Sequence, residues 1–216
     1  MKYTCILLDL DGTITDSAPG IIDTLGWTLE QMGLPVPSRE EMLHWVGPPI
    51  MDSFRDRAGL TPAEADRALE IYREKYLDVG AYDSALFAGM PALIRDIHRR
   101  NVPVSLATSK PEIPATLMLE HFNLAQYFTV ITGASADEVR SAKADVVEEA
   151  LRRLESMGHD TSRPIMVGDR IYDIEGAAAH GIPTIIVDWG YGFEEERGDA
   201  IAVAKTPTDL AHLLFN

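Results

Sequence analysis

The chain has 216 residues, 46% of them apolar, enough for one sizeable core or for one core with a small inserted module. Its formal net charge of −15 argues against nucleic acid or an acidic membrane surface as a partner of the surface as a whole. The only cysteine, Cys5, excludes an internal disulfide and suits a reducing compartment. No stretch is long and apolar enough to span a membrane, and the first apolar run is too short for a secretory signal, so the expectation is a soluble cytoplasmic protein.

The first element is the run Cys5-Ile6-Leu7-Leu8, which passes straight into Asp9-Leu10-Asp11-Gly12-Thr13. A continuous apolar run bounded by turn residues reads as a buried parallel strand, over residues 4–9. Asp9 then stands at its carboxyl end, where open α/β sheets place their ligands. An Asp-Gly pair is also ordinary turn chemistry. Residues 16–82 contain no β-branched run, and they predict helices over 18–32, 39–46, 49–58 and 62–79. Ile21, Ile22, Leu25, Leu29 and Met32 recur at helical spacing, and Thr61-Pro62-Ala63-Glu64 reads as a capping box.

From about residue 84 strands and helices alternate. Helices are expected over 90–100, 111–122, 143–157, 171–180 and 207–215. Strands are expected over 102–108, 128–132, 164–168 and 184–188, with a short one over 201–204. Repeated βα units joined by short links imply an α/β fold, a doubly wound parallel sheet of Rossmann-like build. Residues 1–15 and 83–216 then form the core domain. Residues 16–82 form a helical insertion, hung as a lid over the carboxyl edge of the sheet. Asp16, Ser17 and residues 82–85 are its expected hinges.

A parallel sheet brings four polar segments to that one edge. They are Asp9 with Asp11, Thr108-Ser109-Lys110, Lys143 at a helix start, and Gly168-Asp169 with Asp173 four residues on. Asp9, Asp11, Asp169 and Asp173 form an anion well that calls for a cation, and all-oxygen ligation favours Mg2+. Lys143, the Thr108 hydroxyl and backbone N–H groups near Gly12 and Ser109 suit a dianionic phosphate, with Lys110 a rival for the Lys143 role. Each also has a plainer reading. Thr108 or Ser109 can cap the next helix, Lys143 can be a solvated helix residue, and Asp169 or Asp173 can serve the helix start.

Leu8-Asp9-Leu10-Asp11-Gly12-Thr13, Ala107-Thr108-Ser109, Lys143 and Gly168-Asp169-Arg170-Ile171-Tyr172-Asp173 resemble, in order and spacing, the four motifs of the haloacid dehalogenase superfamily. The insertion resembles that superfamily's α-helical cap. The tail through Val187-Asp188-Trp189-Gly190-Tyr191-Gly192 is similar to its phosphoglycolate phosphatase-like and 5′-nucleotidase-like branch. The resemblance implies a Mg2+-dependent phosphatase of a small phosphorylated metabolite, a monomer or weak dimer. Asp9 is then the nucleophile that forms an aspartyl-phosphate, and Asp11 the general acid and base. Gly12, Thr108, Ser109 and Lys143 bind the phosphate. Asp9, Asp169, Asp173 and the Asp11 carbonyl hold the metal.

Asp11 favours a phosphatase or a phosphomutase over a dehalogenase. The absence of His from Asp16-Ser17-Ala18-Pro19-Gly20-Ile21-Ile22 favours hydrolysis over sugar phosphomutation. A non-enzymatic phospho-receiver explains Asp9 but not Asp11 or the insertion. A dinucleotide-binding dehydrogenase lacks its glycine fingerprint here. Val46-Gly47-Pro48-Pro49-Ile50 is placed over the leaving group, with Arg55, Arg57 and Lys75 as candidate charge readers or plain solvated residues.

Overall fold

The structure, a computed structural model, describes residues 2–216. The first half of the chain runs β1 (Cys5–Leu8), β2 (Thr15–Asp16), α1 (Ala18–Gln31), α2 (Arg39–Leu43), α3 (Ile50–Asp52), α4 (Pro62–Lys75), β3 (Ala85–Leu86) and α5 (Met90–Arg99). The second half runs β4 (Val104–Pro111), α6 (Glu112–His121), β5 (Val130–Ala134), α7 (Lys143–Ser156), β6 (Pro164–Gly168), α8 (Ile171–Ala178), β7 (Thr184–Val187), β8 (Ala202–Ala204) and α9 (Pro207–Phe215). The helices α3 and α4 run on as wider π-helical turns, Ser53–Arg57 and Tyr76–Gly80.

The main sheet has the strand order β5-β4-β1-β6-β7-β8, with every neighbouring pair parallel. The expected α/β doubly wound architecture is therefore present, and β1 lies inside it with all four residues buried. Its side chains alternate between two cores, as strand geometry requires. Cys5 and Leu7 face Val146, Val147, Ala150 and Leu154 of α7. Burial pushes the Cys5 thiol up to about 11, so it is an inert packing group. Ile6 and Leu8 face the other way, into a core that continues through Ile21, Leu25 and Leu29 of α1 to Phe54 and Leu69. The helical insertion thus shares apolar contacts with the sheet.

Two features differ from the sequence reading. The hinge segments pair as a small antiparallel ribbon, Thr15 with Leu86 and Asp16 with Ala85, too short to show any period in the sequence. Strand β4 runs three residues beyond its expected end, because its register slips between Ala107 and Pro111 while β5 advances only from Thr132 to Ala134. Such a bulge re-aims side chains, and it carries Thr108, Ser109 and Lys110.

Candidate active site

The ladder continues one residue past β1, where the Asp9 N–H donates to Val167 O at 2.9 Å. The chain then closes a tight loop in which Ile14 and Thr15 both donate N–H to Leu10 O, at 2.9 and 3.0 Å. Gly12 permits that loop. Its φ is +79°, and a Cβ there would lie 2.2 Å from Asp169 Oδ2. Its own N–H is donated to Thr15 O at 2.8 Å, so Gly12 acts here by letting the backbone approach Asp169.

Lys143 is buried, not solvated, at 6% exposure. It opens α7 and passes its stem over Gly176, where a Cβ would come within 2.6 Å of Lys143 Cγ. Its ammonium donates to Asp9 Oδ1 at 2.8 Å and to Ala107 O at 3.1 Å. It also lies 2.7 Å from Asp173 Oδ1. Burial disfavours that charge, but Asp173 and Asp9 more than offset it and hold the Lys143 pKa above the usual lysine range.

Asp173 does two jobs. Its Oδ2 accepts from the N–H groups of Asp169 and Arg170, at 3.1 and 3.0 Å, which caps the start of α8. Its Oδ1 is buried and accepts no well-aligned hydrogen bond, despite the nearby ammonium. Asp169 accepts from Thr13 Oγ1 at 3.4 Å and from the Tyr191 N–H at 2.7 Å. Carboxylate oxygens of Asp9, Asp169 and Asp173 lie within 4.8 Å of one another. Burial, opposed by Lys143, lifts Asp9 to about 6. Burial and the neighbouring Asp173 and Asp9 raise Asp169 well above the carboxylate range. Three buried carboxylates, of which Lys143 contacts only Asp9 and Asp173, fit a hard divalent cation.

The Asp11 side chain points elsewhere. It takes Lys110 Nζ on both oxygens, at 2.8 and 3.1 Å, and the Ser17 hydroxyl on Oδ1. Each lysine therefore serves a different carboxylate, and Lys110 is no duplicate of Lys143. Lys110 also lies 4.6 Å from the centre of the Tyr76 ring, on the insertion. Thr108 and Ser109 do not cap α6, whose N-cap is Pro111 without a side-chain bond. Thr108 Oγ1 accepts from the Lys110 N–H at 3.3 Å. Ser109 Oγ is buried without a partner and borders the cavity above Asp9. That cavity has a volume of about 430 Å3, with Asp9, Asp11, Thr108 and Ser109 beneath and Trp45, Val46, Tyr72 and Tyr76 above.

Of the three candidate charge readers, Arg55 and Arg57 are exposed, and Lys75 lies over the Trp27 ring. Arg57 borders a second cavity, which reaches Lys143 and Ser109 from the other side. The arginines at the main cavity are Arg73 and Arg140. Two further residues were not singled out from the sequence. Arg170 joins Glu196 of the core to Val46 O of the insertion and is almost fully buried. Tyr191 binds Asp169 through its N–H, while its hydroxyl donates to Asp16 Oδ1 and accepts from the N–H groups of Ser17 and Ala18. The signal for it was an aromatic residue set between Gly190 and Gly192, just after β7.

A family model described as haloacid dehalogenase-like hydrolase matches residues 6–187. Tyrosine-protein kinase PtkA of Mycobacterium tuberculosis is 43% identical over 187 residues, 87% of this chain and 62% of that protein. The chain thus spans less than two thirds of the length of that relative. A 5′-nucleotidase of Pseudomonas aeruginosa is 33% identical over 196 residues, 91% of this chain and 87% of that one. The crystal structure of a predicted phosphatase from Clostridium acetobutylicum superposes with a TM-score of 0.92 at 33% identity, covering 99% of both chains. By these matches, and by four motif segments that converge on one sheet edge, the chain belongs to the haloacid dehalogenase-like hydrolases.

Proposed function

We propose that the protein is a Mg2+-dependent phosphatase of a small phosphorylated metabolite, of the phosphoglycolate phosphatase or 5′-nucleotidase type. One observation carries the reading. Asp9 and Asp11 face the same cavity, and each is held by its own lysine, Asp9 by Lys143 and Asp11 by Lys110.

Asp9, Asp169 and Asp173, with the Asp11 backbone carbonyl, are the groups that would hold the metal. When bound, Mg2+ supplies positive charge against the phosphate oxygens and so lets an anionic nucleophile approach. Lys143, Thr108 and Ser109 orient the phosphoryl group. An Asp9 carboxylate oxygen attacks phosphorus in line, the bond to the alcohol oxygen breaks, and an aspartyl-phosphate forms. Asp11, entering the reaction protonated, gives that proton to the leaving alkoxide and becomes the carboxylate that Lys110 pairs. It then takes one from water, which attacks phosphorus and releases phosphate from Asp9. The insertion over the cavity keeps bulk water out.

Asp9→Asn tests this. Release of phosphate from any phosphomonoester that the wild-type protein turns over is expected to fall at least about 1000-fold. Turnover near the wild-type rate would end the reading. A second reading, transfer of a phosphoryl group to tyrosine, is favoured by the 43% identity with PtkA. Incubation with labelled ATP and a tyrosine peptide separates the two, because only a kinase leaves label on the peptide.

A further inference from the structure

The cavity above Asp9 has an uneven chemistry. Its far walls are made of Ile21, Trp45, Ile50, Tyr72, Tyr76 and Pro114, and its mouth is flanked by Leu77 and Ile113. Leu77 and Ile113 are exposed large apolar residues, at 41% and 63%. Tyr72 and Tyr76 stack with ring centres 5.4 Å apart. The Tyr76 hydroxyl is directed at Met118 Sδ, 3.7 Å away, so its ring rather than its oxygen serves the cavity.

The cations of the lining are already taken. Lys110 is bonded to Asp11, Arg73 to Glu138, and Arg140 to Glu112. A substrate with a second anionic group, such as a carboxylate next to the phosphate, meets no unpaired cation among these lining residues. Burying that charge without a partner is costly. An apolar ring, by contrast, gains from leaving water in a space of this size.

We propose that the alcohol part of the substrate is a bulky, uncharged, aromatic body, selected by Trp45, Ile50, Tyr76, Leu77 and Ile113 over small carboxylated phosphoesters. The proposal rests on the phosphatase reading above, which supplies the place of the phosphate. It narrows the substrate by what lies around the leaving group.

The test compares benzyl phosphate, ethyl phosphate and 2-phosphoglycolate with the wild-type protein in Mg2+. All three leave as alkoxides of aliphatic alcohols, so intrinsic reactivity does not decide the order. The expected kcat/KM for benzyl phosphate exceeds the other two by about 10- to 100-fold, the worth of burying one Phe-sized ring. Ile113→Lys places an unpaired cation at the mouth of the cavity, on an exposed position that tolerates it. It is expected to lower the benzyl preference and raise turnover of 2-phosphoglycolate. Binding of the same three compounds to Asp9→Asn, measured by calorimetry, gives an answer independent of catalysis. Benzyl phosphate binding tightest supports the proposal. Phosphoglycolate equal or better in either assay overturns it. Failure of all turnover, with benzyl phosphate still bound tightest, counts against the phosphatase reading and leaves the pocket assignment supported.

Discussion

Replacing Lys143 by Met keeps most of the stem and removes the charge that separates Asp9 from Asp173. Lys143 Nζ lies 2.8 Å from Asp9 Oδ1 and 2.7 Å from Asp173 Oδ1. At an effective dielectric of about 20, unit charges at that range attract by about 6 kcal/mol per pair. Much of this offsets the cost of burying the ions, and breaking a buried pair by removing one partner typically costs about 3–5 kcal/mol. For a chain of this size that corresponds to roughly 10 °C in melting temperature.

The loss has a distinctive pH dependence. The carboxylates left without a cation can neutralise themselves by protonation, so the deficit is expected to be full near about pH 8 and to shrink towards about pH 5. Thermal melts of wild type and Lys143→Met at the two pH values read this directly. Adding Asp173→Asn, which removes one of the stranded charges, is expected to restore part of the loss. A variant that melts within about 2 °C of wild type near pH 8 would refute the electrostatic account. So would a deficit that grows on acidification.

Three more outcomes follow from the site. Burial raises Asp9 in the metal-free protein above the value of about 3.9 of an unfolded Asp. Between the two values the native state therefore keeps a proton that the unfolded chain has lost, and Asp9's contribution to stability falls as pH rises through that window. Mg2+ at about 100 times its Kd is expected to add about 2.7 kcal/mol near neutral pH, and Asp169→Asn to abolish that gain; chemical denaturation with and without Mg2+ checks both. Tyr191→Phe removes the hydroxyl that binds Asp16, Ser17 and Ala18 but keeps the N–H that binds Asp169. It is expected to cost about 1–3 kcal/mol, for buried groups left without a partner. Mg2+ affinity should stay unchanged, and a titration showing it much weakened would mean that the hydroxyl also positions the metal ligands.

The carboxylates at the strand ends were legible because a parallel sheet has one polar edge. Any strand–helix alternation that includes Leu8-Asp9 and Gly168-Asp169 delivers them there. The different duties of Lys110 and Lys143 were not legible. Both are lysines near a strand end, and only the bulge in β4 turns Lys110 towards Asp11 while the first turn of α7 aims Lys143 at Asp9. Bulges leave no period in a sequence. Arg170 was equally hidden, because its partners Val46 and Glu196 are 124 and 26 residues away along the chain.

The sequence by itself determined the α/β class, the run of helices that follows the first strand, and the arrival of Asp9, Asp169 and Asp173 at one sheet edge. These follow from hydrophobic periodicity and residue chemistry, which are local. Tertiary structure decided which charge faces which, that Asp11 is held apart from the other three carboxylates, and that the cavity above Asp9 is walled by aromatic and aliphatic side chains whose neighbouring cations are already paired. Such pairings depend on distances of a few ångströms between residues up to 134 positions apart. At that range electrostatics is set by packing, and local sequence pattern carries no record of it.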